Sequence, residues 1–309
     1  MVLERDSLDA VLRRPGFAHS WKEYGKVAAG ELPACLGSAS IAIVNKTPLR
    51  AEALGALPGL RLIAVAATDN VDLAACAARG ITVSNVRGYA EHTVPEHAFA
   101  LILALRRNLV AWREDVKRGL WQQADTFCLA GHAVRDLHGA TLGIFGEGSI
   151  GQGTARIARA FGMRVLFADH APPRAAGVEF TPAERVLAES DVVSLHLPLT
   201  PQTRNLIGAR ELALMKPDAL LINTARGGLV DEQALADALR AGRIAGAGFD
   251  VLSTEPPRQG NPLLGLDQPN FILTPHVAWS GRQAMQALAD QLMDNVEAFV
   301  RGEPRNTCS

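Results

Sequence analysis

Neither sign of charge is in excess in this sequence. Lys and Arg number 31 against 32 Asp and Glu, for a formal net charge of -1 over 309 residues. Without a basic surplus there is little to hold a phosphate backbone, so nucleic acid is not an expected partner. Long apolar runs are also missing. The longest, Ala98 to Leu105, is far below the ~18 residues of a membrane span. The amino end, Met1-Val-Leu-Glu-Arg-Asp6, carries charges where a signal peptide needs an apolar stretch. Cys35, Cys76, Cys128 and Cys308 are scattered and form no C-x-x-C pair, which predicts reduced thiols and no metal site. There is no internal repeat and no low-complexity stretch. These absences predict a cytoplasmic protein with neither membrane nor nucleic acid as partner. What is present is a 48% hydrophobic and 20% charged composition, which excludes a disordered chain. The length suits about two domains at ~150 residues each, with a sizeable core.

Short β-branched runs alternate with Ala- and Leu-rich stretches at helical spacing. Ile41-Ala-Ile-Val44, Leu62-Ile-Ala-Val65 and Ile81-Thr-Val83 read as strands, with Val2-Leu3 a meagre first one. Asp72 to Arg79 reads as a helix stopped at Gly80. The pattern resumes at Leu142–Phe145, Arg164–Phe167, Val192–Leu195, Ala219–Ile222, Gly248–Val251 and Phe271–Leu273. Strands alternating with helices predict the α/β class, a parallel sheet covered on both faces. Thr93 to Lys117 reads as one long helix, with Thr93 as N-cap and Glu96 three residues on. Its first half is apolar nearly all round and is expected to be buried on every side. A second long helix is expected over Arg282 to Arg301. If it returns to the first domain, that domain is discontinuous.

The strand Leu142–Phe145 runs into Gly146-Glu-Gly148-Ser149-Ile150-Gly151 and then a helical stretch, Gln152 to Ala160. A G-x-G-x-x-G loop is weak evidence alone; the strand before it and the helix after it give it meaning. The first glycine permits the tight turn, the second lets backbone approach a pyrophosphate, and the third lets helix and strand pack closely. The helix N-terminus then offers free N–H groups to the phosphates. Asp169 ends the next strand, near the ~20 residues downstream where an acid bonds the adenosine ribose. That carboxylate favours NAD over NADP, whose 2′-phosphate it would repel, although His170 and Arg174 lie close enough to soften the preference. Gly246-Ala-Gly248 lacks the third glycine and reads as a strand entry.

Three further positions point to a reaction. Arg226, in Asn223-Thr-Ala-Arg226-Gly-Gly, sits at the carboxyl end of a strand, where open α/β sheets bind ligands. Glu255 follows another strand in a proline-flanked loop, and His276 follows a third in Thr274-Pro-His276-Val-Ala-Trp. A carboxylate beside an imidazole holds its orientation and keeps it able to give a proton near neutral pH. An arginine can bind a substrate carboxylate and polarise a neighbouring carbonyl. Taken singly, Arg226 could be a surface ion pair, Glu255 a solvated loop acid and His276 a core histidine. Three such groups behind a dinucleotide loop favour a site.

Over nearly its whole length the sequence resembles the NAD-dependent D-2-hydroxyacid dehydrogenases. The cofactor loop, Asn223-Thr-Ala-Arg226-Gly-Gly-Leu-Val-Asp, Gly248-Phe-Asp250-Val-Leu, Glu255-Pro and Thr274-Pro-His276 fall in that family's order and spacing. The resemblance implies two doubly wound parallel-sheet domains, a flavodoxin-like substrate domain and a Rossmann cofactor domain, with a cleft between them. The substrate domain would be residues 1–92 plus 282–309 and the cofactor domain residues 93–281. It implies catalytic roles for Arg226, Glu255 and His276 and places the nicotinamide carboxamide near Asp250. Thr93, Leu197, Pro198, Thr203, Thr224 and Ala225 join the glycine loop as implied cofactor contacts. Thr68, Arg87, Tyr89 and Trp279 join Arg226 and His276 around the substrate. The segment 93–130 resembles the family's dimerisation arm, which implies a homodimer in which Trp121 or Phe127 of one copy could shape the pocket of the other.

Within the family the resemblance is greatest to glycerate dehydrogenase and hydroxypyruvate reductase, through Asn85-Val-Arg-Gly-Tyr89, Thr93-Val-Pro-Glu-His97, Trp121-Gln-Gln and His276-Val-Ala-Trp279. Phosphoglycerate dehydrogenases often carry a further carboxyl-terminal domain, and formate dehydrogenases lack the acid at position 255. One departure concerns the carboxylate-binding loop. The family has a glycine after the strand at Leu62–Val65, whereas this sequence runs Ala66-Ala-Thr68-Asp-Asn-Val-Asp72 and is about two residues short. The expected reaction is reduction of hydroxypyruvate or glyoxylate to D-glycerate or glycolate, with D-lactate-type chemistry and a non-enzymatic NAD(H) sensor as alternatives. The short loop is the feature that keeps the sensor open.

Overall fold

In the computed structural model, residues 2–4, 10–25, 27–45, 47–66, 70–169 and 180–308 are described. The chain forms two compact units, Met1–Ala90 with Ser280–Ser309, and Glu91–Trp279. The first opens with strands β1 (Val2–Glu4) and β2 (Lys22–Tyr24), then α1 (Leu32–Leu36), β3 (Ile41–Val44), α2 (Ala51–Gly55), β4 (Leu62–Val65), α3 (Leu73–Ala77) and β5 (Thr82–Asn85). Its five strands are all parallel, in the order β2-β1-β3-β4-β5. That is the flavodoxin-like winding. The continuous apolar runs of β3 and β4 are buried throughout, as strands covered on both faces must be. Asp72 caps α3 through Ala75 N–H at 2.9 Å, and Gly80, with φ of 66°, lies just beyond its end.

The second unit carries α4 (Thr93–Arg106), α5 (Leu109–Lys117), β6 (Thr141–Phe145), α6 (Ser149–Ala160), β7 (Arg164–Asp169), β8 (Phe180–Pro182), α7 (Ala183–Glu189), β9 (Val192–Leu195), α8 (Ala209–Leu214), β10 (Leu220–Asn223), α9 (Glu232–Arg240), β11 (Gly246–Phe249) and β12 (Phe271–Leu273). Its sheet is again all parallel, ordered β12-β11-β10-β9-β6-β7-β8. This is the Rossmann order with one strand added at an edge. Successive strand residues divide between its two faces. Leu220 and Ile222 join the core under α4 and α6, and Leu221 joins the core under α7, α8 and α9. The chain ends with α10 (Arg282–Val300) in the first unit, where it packs over β4 and β5. Asn295, fully buried on α10, donates to Asn85 O at 2.8 Å.

Several expectations need correction. The helix expected over Thr93–Lys117 is two helices. Asn108 adopts φ of 50° between them and donates its side-chain amide to Ala133 O at 2.5 Å, a tertiary bond that outweighs helix continuation. The N-cap is His92, without a side-chain cap bond, and not Thr93. The first half of that helix is not buried on every side, because Glu96 and Ala100 are exposed. Strand β11 begins at Gly246 and ends at Phe249, two residues ahead of the expected Gly248–Val251. Gly248 makes this register fit. A Cβ there would lie 2.9 Å from Leu101 Cβ, so α4 rests directly on the strand. Edge strands β2 and β8, three residues each, lack the apolar run that marks their neighbours. Among the described residues, no helix is long and apolar enough to cross a membrane.

Gly143 in β6 is in close contact with the end of α7, since a Cβ there would overlap Val186 Cγ1 and the Oγ of its C-cap, Ser190. Gly143→Val should therefore lower the unfolding free energy by about 1–3 kcal/mol. Urea unfolding followed by circular dichroism measures this, and an unchanged midpoint would contradict the packing.

Candidate active site

In a doubly wound sheet, ligands bind beyond the carboxyl ends of the strands where the strand order reverses. In the second unit that point lies between β6 and β9. Gly146 follows β6 with φ of 108°, and a Cβ on it would overlap the carbonyl of His196, the residue after β9. A Cβ on Gly151 would overlap the Gly146 carbonyl, so the loop and α6 are in direct contact. Gly148 differs from both. It caps α6 in an extended conformation with no side-chain cap bond, and nothing lies within 4 Å of the position of its Cβ. The first N–H groups of a 12-residue helix, at Ser149, Ile150 and Gly151, follow this open position, and a helix start of this kind receives a phosphate. Ile144 pairs with Phe167 in the parallel ladder, which sets Asp169, exposed at the end of β7, level with Gly146 on the same sheet edge.

On the other side of the switch point two buried polar atoms have no protein partner, His196 Nδ1 and Thr224 Oγ1. Leaving such atoms unmet costs about 1–3 kcal/mol each, and a bound ligand's polar groups would meet them. Burial pushes the His196 imidazole down to about 4, so it is neutral at physiological pH. Leu197 is buried and Pro198 is exposed. Thr203 Oγ1 donates to Pro198 O at 2.7 Å, so that hydroxyl shapes its own loop. Ala225 N–H is held by Asn223 Oδ1 at 3.1 Å. The open glycine cradle, the orphaned atoms and the acid after β7 together fit a dinucleotide. Among the described residues no group of His, Cys, Asp and Glu gathers that could hold a metal ion.

Beyond β10, β11 and β12 the three candidate catalytic residues are linked through the backbone. Gly227 lies so close to Leu252 that a Cβ would overlap the Leu252 carbonyl, which sets the Arg226 loop against the Glu255 loop. Leu252 N–H donates to Glu255 Oε1 at 2.8 Å, and Glu255 Oε2 meets His276 Nδ1 at 2.5 Å. An ionised Glu255 requires the proton on Nδ1, which leaves Nε2 for a reactant. Arg226 is exposed, with Nη1 donating to Ala225 O at 2.8 Å and its own carbonyl accepting from Asn223 Nδ2 at 3.0 Å.

Asp250 underlies this arrangement. It is 1% exposed, and its N–H donates to Asn223 O at 2.9 Å while its carbonyl accepts from His276 N–H at 2.8 Å. Its carboxylate accepts from Val277 N–H at 2.9 Å, Ala278 N–H at 2.8 Å and the Thr274 hydroxyl at 2.5 Å. His276 itself has φ of 57°, a conformation that costs a residue with a Cβ about 1–2 kcal/mol. Bonds from one aspartate on both sides of it hold it there. The hydroxyl of Thr93, an implied cofactor contact, is used in the same loop and donates to Ala278 O at 3.2 Å.

The substrate-pocket candidates fall in both units. Trp279 is half-buried in the second unit, with its indole N–H donating to His276 O at 3.0 Å. Arg87 and Tyr89 belong to the first unit. The Arg87 side chain is tied to Asn85 Oδ1 at 3.1 Å and Thr307 O at 3.0 Å. Thr68, with the short loop around it, and His170 and Arg174 lie outside the described residues. Sequence reasoning assigned no role to His196, Asn223 or His97. Position after an expected strand could have flagged the first two, whereas His97 entered only as the last residue of the motif Thr93-Val-Pro-Glu-His97.

Residues 99–278 match the family model described as "D-isomer specific 2-hydroxyacid dehydrogenase, NAD binding domain". The chain belongs to this family. It is 52% identical over 309 residues to a glycerate dehydrogenase of Methylorubrum extorquens, covering 99% of this chain and 97% of that protein. A hydroxypyruvate reductase of Blautia hydrogenotrophica is 37% identical over 276 residues, covering 88% and 85%. The structure of a D-lactate dehydrogenase from Aquifex aeolicus, complexed with NAD and lactic acid, superposes with a TM-score of 0.78 at 33% identity, covering 92% and 90%. The chain is thus an NAD-dependent D-2-hydroxyacid dehydrogenase, and NAD is its cofactor.

The open cradle at Gly148 makes opposite predictions for stability and binding. In Gly148→Asp the new side chain would cap α6 and hold or raise stability, by roughly a few tenths of a kcal/mol. The same carboxylate would occupy the N–H groups and repel a pyrophosphate, so NADH Kd should rise at least roughly tenfold, about 1.4 kcal/mol. Thermal unfolding and NADH fluorescence titration read the two effects, and unchanged NADH affinity would contradict the cradle.

Proposed function

We propose that the protein reduces hydroxypyruvate to D-glycerate, and glyoxylate to glycolate, with NADH. The observation that carries the mechanism is the 2.5 Å contact of Glu255 with His276 Nδ1 on a loop held by Asp250. The substrate assignment is supported by the likeness to a glycerate dehydrogenase over almost the whole of both chains.

Bound NADH supplies the hydride that adds to the carbonyl carbon of the 2-oxo acid. His276, protonated on both nitrogens, gives its Nε2 proton to the carbonyl oxygen as negative charge develops there. Glu255 accepts from Nδ1 throughout, which fixes the ring and stabilises its cationic form before transfer. The Arg226 guanidinium binds the substrate carboxylate and stabilises the charge on the neighbouring oxygen. One 2-oxo acid, one NADH and one proton give one D-2-hydroxy acid and NAD. The Asp169 carboxylate disfavours the 2′-phosphate of NADP.

In this reading the unit Glu91–Trp279 binds the cofactor and the other unit binds the rest of the substrate through Thr68, Arg87 and Tyr89. The protein works in the cytoplasm as a homodimer joined through segment 93–130. The support for the dimer is the exposure of Leu109, Val116, Trp121 and Phe127, the last at 90%, since large apolar side chains shown together mark a contact surface.

Loss of NADH absorbance with hydroxypyruvate, glyoxylate and pyruvate, each repeated with NADPH, tests this function. Turnover should be fastest with hydroxypyruvate and NADH. In His276→Ala it should fall by roughly 10²- to 10⁴-fold while NADH still binds. Pyruvate as the preferred substrate, or turnover retained without His276, would overturn the proposal.

A further inference from the structure

The mechanism leaves one half-buried histidine beside the site without a role. His97 Nε2 lies 2.9 Å from Thr274 Oγ1 and 3.7 Å from Asp250 Oδ1. Thr274 has one hydroxyl hydrogen and two acceptors in reach, Asp250 Oδ1 at 2.5 Å and Phe249 O at 3.3 Å. If His97 accepted that hydrogen, Asp250 would lose a donor; if His97 donates, the Thr274 hydrogen is directed to the carboxylate. A carboxylate 1% exposed needs every donor it has, so the second arrangement is favoured. Bonds in such a chain also polarise and strengthen one another. Thr93 stands one turn before His97 on α4, on the same helix face, and bonds Ala278 O. That face therefore holds the loop 274–278 at both ends, with His276 between them.

We propose that His97 is a positioning residue for the reaction: its Nε2–H donates to Thr274, whose hydroxyl donates to Asp250, and this chain keeps the His276 loop aimed. It rests on the reading of His276 as proton donor. His97 touches no reacting atom, so its removal loosens the loop without altering the cofactor cradle at Gly146–Gly151.

The test compares kcat for hydroxypyruvate with NADH Kd in His97→Leu, His97→Gln, Thr274→Val and the double variant His97→Leu/Thr274→Val. His97→Leu should lower kcat by roughly 10- to 100-fold, the scale of a small misplacement of a catalytic group, with NADH Kd unchanged. His97→Gln, whose amide can donate, should recover most of the loss. The double variant should be no slower than Thr274→Val alone, because both changes cut one chain. Wild-type kcat in His97→Leu, no recovery in His97→Gln, or multiplicative losses in the double variant would overturn the inference. ¹H–¹⁵N spectra give a readout independent of turnover: the neutral His97 ring should carry its proton on Nε2, and an Nδ1–H ring would overturn the chain. Inactive His276→Ala with fully active His97→Leu refutes this inference alone. Active His276→Ala refutes the proton-donor reading beneath it.

Discussion

A carboxylate removed from water must be surrounded by donors, because an uncompensated buried charge costs several kcal/mol. How Asp250 meets that demand determines where His276 points. The nearest donors are the N–H groups of Val277 and Ala278 and the Thr274 hydroxyl. To supply them, the chain after β12 must turn back over the end of β11. The turn puts His276 at φ of 57°, where an unsupported residue with a Cβ would not remain. The strain at the histidine and the burial of the aspartate are thus solved by the same bonds. Glu255 then needs only to orient the ring.

The parallel sheet makes this economy available. Its strands all end on one edge, so Asn223, Asp250 and Thr274 lie side by side at the ends of β10, β11 and β12. Backbone bonds run from Asp250 N–H to Asn223 O and from Thr274 N–H to Phe249 O, both at 2.9 Å. On the same edge the reversal between β6 and β9 opens the glycine cradle. The glycine cradle and the His276 loop therefore lie on one edge of one sheet, while α4 supports that sheet from one face through Leu101 against Gly248.

Much of this was legible in the residues. Buried strands such as Ile41–Val44 and Leu62–Val65 declare themselves as continuous apolar runs, and G-x-G-x-x-G between strand and helix declares the cradle. Arg226, Glu255 and His276 could be picked out because each follows a strand. What was hidden depends on tertiary bonds. The break at Asn108 exists because Ala133 O is there to meet its amide. The early start of β11 follows from a helix pressing on Gly248. Short edge strands β2 and β8 carry no pattern strong enough to read. Thr93 looked like a helix cap, and in the fold His92 takes that position while the Thr93 hydroxyl bonds the loop after His276. Asp250 was legible as important, but its three donors come from residues two dozen and more positions away.

Asp250→Asn, assayed for kcat with hydroxypyruvate and for NADH Kd, tests the loop clamp most directly. The amide keeps one acceptor oxygen but sets a donor against the N–H of Ala278 or Val277. The clamp predicts a fall in kcat with NADH affinity retained. Weakened NADH binding with kcat intact would contradict it, and would make Asp250 a cofactor contact instead of the support of the catalytic loop.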